Sequence, residues 1–168
     1  MNNQSIPRPE YPRPQFVRNS WSSLNGAWDF EIDSGKSGKE RELWKEDKLS
    51  EKIIVPFCPE SELSGINYKD FMPAVWYKRK FNIPENWNGK RILLHFGAVD
   101  YQTQVWVNGK NVGAHRGGYT PFSCEITSHV QTGENIITVY AEDDTRSPLQ
   151  PSGKQSSSYH SHGCVYTR

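Results

Sequence analysis

Hydrophobic and polar residues alternate along several short segments of this chain, and glycine, proline or asparagine ends most of them. Trp28, Phe30 and Ile32 alternate with acidic residues in 27–33, a period of two that is typical of a half-buried strand. Residues 75–83 repeat the alternation and stop before a proline. Further apolar runs lie at 53–55, 91–96 and 135–141. The pattern predicts a series of short β-strands.

The stretch from Val105 to Phe122, VWVNGKNVGAHRGGYTPF, predicts a β-hairpin followed by a glycine-rich loop. Asn108-Gly109 is a strong hairpin signal, because both central residues of a type I′ turn need a positive φ. The loop that follows is polar, rich in glycine, and ends in an aromatic residue and a proline. Such a loop suits a surface that approaches another body closely. That body is either a sugar or a neighbouring domain.

Strands joined by Gly, Pro and Asn turns, without alternating helices, favour an all-β sandwich. The one helical candidate, 38–49, is mostly charged and predicts only a short excursion. We expect residues 1–20 to form an extended proline-rich arm, 21–145 the β-sandwich, and 146–168 an irregular Ser/Pro/Gly-rich loop. Since a domain normally closes on a packed element, we also expect the chain to continue into further domains.

Composition narrows the possible functions. With 168 residues, 12% aromatic residues and six Trp, one domain with a real core is expected. A net charge of +1 gives no sign of a nucleic-acid partner. No apolar run approaches the ~18 residues of a membrane span, and the polar start predicts no secretory signal. The odd set Cys58, Cys124 and Cys164 favours unpaired thiols, and hence a cytoplasmic protein.

Three acids lie where strands end, which is where a sugar hydroxyl could be held by a carboxylate. Asp100 follows the strand RILLHFGAV, and Asp143-Asp144 follows NIITVYAE. Adjacent residues of a strand point to opposite faces, so at most one acid of the pair faces a given site. The alternative is that these acids only cap turns.

Aromatic residues divide into two groups. Trp28, Trp76 and Trp106 lie in alternating strands and are predicted to pack in the core or on a sheet face. Tyrosines in loops are better candidates for stacking on a sugar; they are Tyr101, Tyr119 and Tyr159.

No catalytic residue is predicted. The chain has no GxSxG, P-loop or GxGxxG motif, and no Ser-His-Asp arrangement at a recognisable spacing. His160, His162 and Cys164 offer three metal ligands, but structural zinc normally needs four, often from CxxC-type pairs. We therefore predict no metal site.

Several segments resemble, in order and in spacing, the N-terminal sugar-binding domain of glycoside hydrolase family 2. That family includes β-galactosidases, β-glucuronidases and β-mannosidases. The signals WYKRKF and VNG…G.H.GGYTPF are the most specific. The matching segments are Trp21–Phe30, Val55–Ser61, Ala74–Phe81, Leu93–Phe122 and Glu134–Asp144.

The resemblance implies a jelly-roll, galactose-binding-like sandwich that precedes an immunoglobulin-like domain and a TIM barrel. Two glutamates in that barrel carry out a retaining mechanism, so this fragment is expected to be inactive alone. The resemblance places Asp100 and Asp144 among the residues that hold hydroxyls of the terminal sugar, and Tyr101 joins them as a substrate-binding residue. It implies no cofactor in the fragment and a monovalent or divalent cation in the parent.

The subtype is left between two members of the family. HxGGYTPF is more like β-glucuronidases, whereas VDY and the EDD acids are more like β-galactosidases. We expect a parent that hydrolyses a terminal β-galactoside. The alternatives are a β-glucuronidase, a purely structural module that contacts the downstream domains, and a free-standing lectin-like module.

Overall fold

The computed structural model describes residues 6–144 and 165–166, which form strands joined by turns and short 3-10 helices. The ten strands are β1 (Gly26–Ile32), β2 (Glu51–Val55), β3 (Ala74–Ile83), β4 (Leu93–Phe96), β5 (Ala98–Val99), β6 (Gln102–Val107), β7 (Lys110–Arg116), β8 (Phe122–Glu125), β9 (Gly133–Glu142) and β10 (Val165–Tyr166). The 3-10 helices are Pro14–Phe16, Leu43–Lys45, Glu62–Ser64, Glu85–Trp87 and Thr127–His129.

Six antiparallel strands form the main sheet, in the order β2-β1-β3-β9-β6-β7. β4 pairs with β8, and β5 pairs with β10. The predicted hairpin is confirmed: Asn108 and Gly109 have φ of 49° and 76° between β6 and β7. Both values are positive, as a type I′ turn requires.

The main core lies between the large sheet and the smaller layer of β4, β5 and β8. Alternate apolar residues of β1, β3, β6 and β9 enter it, because side chains alternate across a strand. From the smaller layer come Leu94, Phe96, Val99 and Cys124. The two layers together form the all-β sandwich that the sequence predicts.

A second cluster covers the opposite face of the large sheet. Trp76 and Trp106 stack with rings 5.5 Å apart, and Trp44 lies against both, 5.2 Å from the Trp106 ring. Tyr140 contacts the Trp76 ring at 4.8 Å. Residues 34–50, called the excursion below, form a series of turns that cover this face of the sheet. Within the predicted helical candidate only Leu43–Lys45 is helical, as one 3-10 turn.

Buried polar groups fasten the excursion to the sheet. Lys78, 1% exposed, donates to the carbonyl oxygens of Leu43 and Glu46. Burial lowers the pKa of Lys78, although the charges of Glu46, Asp29 and Asp47 oppose this. Hydrogen bonds from the ammonium group to carbonyl oxygens compensate part of the lost hydration.

The prediction of the fold is confirmed in most elements and incomplete in three. All the predicted strands are present, and Trp28, Trp76 and Trp106 are buried as expected. β8 and β10 were not predicted, because each has only two to four residues and lacks a clear period of two, and β5 was predicted only as the end of the strand that contains β4. Of the predicted loop 146–168 only Val165–Tyr166 is described, and it pairs with β5.

Candidate functional site at the end of the large sheet

The ends of three strands meet around Tyr101. Its amide donates to the Glu142 carbonyl oxygen at the end of β9 (3.2 Å), and its carbonyl oxygen accepts from the Gly117 amide after β7 (2.9 Å). The peptide bond between Asp100 and Tyr101 is cis. These two hydrogen bonds bring three segments to one end of the sheet: the signature loop after β7 (residues 117–121), the end of β9 before Asp143, and the turn at Asp100.

Asp100 and Asp143 form an acid pair at this end. The half-buried Asp100 is covered by the signature loop: a Cβ on Gly118 would lie 2.4 Å from its Oδ1. Asp143 is 8% exposed, and its negative charge acts on Asp100. Only a glycine leaves room for the loop to approach the carboxylate so closely.

Strand alternation explains why Asp143 is the acid that lies with Asp100. The Asp143 amide donates to the Pro73 carbonyl oxygen (3.2 Å), so the chain keeps its extended pairing beyond the end of β9. Asp143 therefore points to the same face as Ala141, while Asp144 alternates to the other. The role of Asp144 stays a prediction.

Glu142, the first acid of the EDD run, stabilises the fold through hydrogen bonds to two side chains. It accepts hydrogen bonds from Lys36 Nζ (2.8 Å) and the Tyr140 hydroxyl (2.7 Å). Burial acts to raise the pKa of Glu142, but these two hydrogen-bond partners hold it below its usual range. An acceptor so occupied has less capacity for a sugar hydroxyl.

The aromatic candidates differ in their exposure. The Arg116 guanidinium lies over the Tyr101 ring, 5.4 Å from its centre, so one face of that ring is occupied. Tyr119 is 64% exposed at the tip of the signature loop. The base of the loop is held by a stack of His115 on Phe122 (4.4 Å) and of Phe122 on Phe96 (4.7 Å). Tyr159 lies outside the described residues.

Asp100 should make stability depend on pH in an unusual direction. Burial, and then the charge of Asp143, raises the pKa of Asp100 to about 6 from 3.8. Between these values the folded protein binds more protons than the unfolded chain, so its stability falls as pH rises from about 4 to about 6. We expect the free energy of unfolding of wild type minus that of Asp100→Asn to be larger at pH 5 than at pH 7.

Urea unfolding of both proteins at the two pH values measures this difference. Taking the difference cancels the contributions of titratable groups that both proteins share. One of these is His95, whose pKa is lowered by burial and by the charges of Arg18 and Arg13. A difference that does not change between pH 5 and pH 7 would contradict the raised pKa.

A large cleft lies elsewhere on the molecule and includes neither acid of the pair. It has a volume of about 1160 Å³ between the arm and β4. Asp100, half-buried beneath Gly118, and Asp143, 8% exposed, lie outside this cleft.

Metal ligation and membrane insertion gain no support within residues 6–144. That part of the chain holds no group of three or more His, Cys, Asp or Glu able to bind a metal ion. The candidates His160, His162 and Cys164 lie outside the described residues. Nor does the described structure contain a helix long and apolar enough to cross a membrane.

The family model "Glycosyl hydrolases family 2, sugar binding domain" matches residues 61–147, just over half of the chain. The chain belongs to this family, and the matched region contains both acids of the pair and the signature loop. The resemblance drawn from the sequence motifs is confirmed.

Relatives and solved structures agree with this assignment. The chain is 31% identical over 148 residues to a β-glucuronidase of Paenibacillus borealis, covering 86% of this chain and 24% of the relative. It is 37% identical over 87 residues to a β-galactosidase of Thermoanaerobacter pseudethanolicus, covering 51% and 12%. A Ruminococcus gnavus β-glucuronidase in complex with D-glucaro 1,5-lactone superposes with a TM-score of 0.68 at 25% identity, covering 79% and 24%. The chain thus spans about a quarter of these proteins or less.

Sequence reasoning placed Asp100 and Tyr101 at this site but did not choose Asp143 or Gly118. The alternation argument already allowed only one of the two adjacent acids. The sequence does not show which residue at the end of β9 is the last to pair with the segment before β3, and this pairing determines which acid lies with Asp100. For Gly118 the signal was the doubled glycine of GGY, which indicates a close approach without naming the partner.

Proposed function

We propose that this chain is the non-catalytic sugar-binding domain of a longer retaining exo-β-glycosidase, in which it forms part of the wall of the substrate pocket. The acid pair under the signature loop carries the proposal. Carboxylates accept hydrogen bonds from hydroxyl groups, and those with an ionised acceptor are the stronger ones. Above pH about 6 Asp100 is ionised and able to act in this way.

For the longer protein, a terminal β-glucuronide is the better supported substrate. The curated relatives are mostly named β-glucuronidase. The β-galactoside that the sequence favoured remains the second candidate, supported by the Thermoanaerobacter relative. Comparing the hydrolysis of nitrophenyl β-glucuronide and nitrophenyl β-galactoside by the longer protein decides between them.

The 168-residue chain alone should hydrolyse neither nitrophenyl glycoside. The described residues offer only a partly buried acid pair at one end of the sheet, and the family's retaining mechanism needs two catalytic carboxyl groups on either side of the scissile bond. Product release by the purified chain, above the rate with a heat-denatured sample, would overturn this expectation.

The role of the acid pair is tested in the longer protein. Asp100→Asn and Asp143→Asn should each lower kcat/KM by roughly 5- to 150-fold, the range for a lost hydrogen bond to a charged or buried group. Asp47→Asn is the matched control, because Asp47 is exposed on the excursion over the other sheet face. Thermal unfolding of each variant separates loss of binding from loss of fold.

A structural module is the second candidate function, and the exposure of Tyr119 favours it. An aromatic residue 64% exposed on a loop with a stacked base is suited to pack against a neighbouring domain. If kcat/KM is unchanged in both acid variants while Tyr119→Ala destabilises the longer protein and not the 168-residue chain, the structural role is the one supported.

A further inference from the structure

The cleft of about 1160 Å³ has one wall formed by the N-terminal arm and another by the start of β4. The arm is attached there by specific contacts. Asn25 Nδ2 donates to the carbonyl oxygens of Pro7 (3.2 Å) and Arg8 (3.1 Å), and Tyr11 packs edge-on against Trp21 with ring centres 4.8 Å apart. Residues 7, 8 and 11 of the arm therefore contact the sandwich, and the arm lines one side of the cleft.

Three aromatic side chains with accessible surface line the cleft. Phe16 of the arm is 77% exposed, and Trp21 and Trp87 are half-buried. These three rings come from the arm, the segment before β1 and the turn before β4. Flat apolar rings that stay partly accessible suit a ligand with apolar faces and polar edges, as a sugar ring has.

The same cleft is positively charged. Arg13 and Arg18 stand on the arm, and Lys90 and Arg91 stand on the opposite wall. Arg91 already pairs with Glu125 through Nε (2.9 Å) and NH2 (2.8 Å). Glu10 is the acid among the cleft-lining residues, and it pairs with Arg8 at 2.6 Å.

The arm cations and His95 of β4 line the same cleft. Burial and the charges of Arg18 and Arg13 lower the pKa of His95. Arg13 and Arg18 thus face the same space as this imidazole. A guanidinium binds a carboxylate through two parallel hydrogen bonds, which an ammonium group cannot do.

From the rings and the cations together we infer that this cleft binds an acidic oligosaccharide, with sugar rings on Phe16, Trp21 and Trp87 and uronate carboxylates on Arg13 and Arg18. The site shares no residue with the acid pair at the end of the large sheet. Its volume exceeds the ~300–1,000 Å³ that is usual for sites of single small molecules, so it suits several linked rings better than one. Its charge disfavours a cationic ligand and gives a neutral one no electrostatic attraction.

Titration calorimetry on the 168-residue chain tests the inference, with linear tetragalacturonate as the acidic probe and maltotetraose as the neutral probe. We expect saturable binding of tetragalacturonate, and none of maltotetraose at the same concentrations. Affinity should fall as NaCl is raised from ~0.02 to ~0.5 M, because the cations are exposed and are screened by salt. Galacturonic acid alone should bind more weakly than the tetramer.

Two variants locate the site. Arg13→Ala/Arg18→Ala should reduce the affinity for tetragalacturonate by roughly tenfold, because two exposed charge pairs with the ligand are lost. Lys48→Ala/Lys110→Ala is the matched control, since it removes the same net charge from exposed residues outside the cleft. Phe16→Ala should weaken binding without loss of stability, because its side chain is mostly exposed.

Three results would overturn the inference: equal binding of the two probes, equal weakening in the two double variants, or loss of binding in the longer protein because another domain covers the cleft. Asp100→Asn should leave tetragalacturonate binding unchanged. Failure here is therefore distinguishable from failure of the proposed function.

Discussion

Replacing Trp76 with alanine is expected to lower the free energy of unfolding by ~3–5 kcal/mol, the range for deleting a fully buried aromatic side chain. Trp76 is fully buried at the centre of the second cluster, on the face of the large sheet opposite the main core (the outer cluster), in contact with Trp44, Trp106 and Tyr140. Its Nε1 also donates to Asp33 Oδ2 at 3.0 Å. The substitution removes the ring contacts and leaves a cavity beneath the excursion.

Urea unfolding followed by tryptophan fluorescence and by circular dichroism measures this loss. Tyr119→Ala is the control, because that aromatic side chain is 64% exposed and its removal should change stability little. Partial unfolding of the excursion alone would appear as non-coincident transitions from the two probes. A loss below about 1 kcal/mol with coincident transitions would show that the outer cluster adds little to stability.

The second large effect is expected at Asp33, which is 3% exposed and accepts three hydrogen bonds. Its Oδ1 accepts from the Ser37 amide (2.9 Å), and its Oδ2 accepts from the Gly38 amide (2.8 Å) and from Trp76 Nε1. Asp33→Ala leaves these donors without their acceptor. Because each buried unsatisfied donor costs ~1–3 kcal/mol, we expect a loss of about 3 kcal/mol or more.

Asp47→Ala is the control for this substitution, since Asp47 lies exposed on the same excursion. Thermal and urea unfolding of the two variants give the comparison. Asp33 and Trp76 contact each other, so their losses should not add, and a double-mutant cycle measures the coupling. Similar losses in Asp33→Ala and Asp47→Ala would contradict the proposed role of the three hydrogen bonds.

The strands with a clear period of two were predictable because their alternation carries the information locally. β1 and β3 each place every second side chain in the core, and the β6–β7 hairpin follows from Asn108-Gly109 alone. The excursion was not predictable in the same way. Its turns depend on contacts with Lys78, Trp76 and Trp106, which are remote from it in sequence, in addition to those with the neighbouring Asp33.

The candidate site was predictable only in part. The position of Asp100 just past a strand, and the family motifs around it, placed that residue at the sheet end, while its role in binding a sugar stays a prediction. The choice between Asp143 and Asp144 depends on how far β9 continues its pairing with β3, and the close approach of Gly118 depends on how the signature loop folds back. Neither property is visible in the residues themselves.

The sequence by itself determined the class of fold, the hairpin, the family and the end of the sheet where carboxylates collect, because these follow from local periodicity, turn chemistry and short motifs. The tertiary structure decided which acid joins Asp100, which tryptophans form the outer cluster, and that the arm encloses a cationic aromatic cleft. The physical reason is that these features depend on contacts between residues far apart in the chain. Such contacts are set by packing and strand register, which only the folded chain specifies.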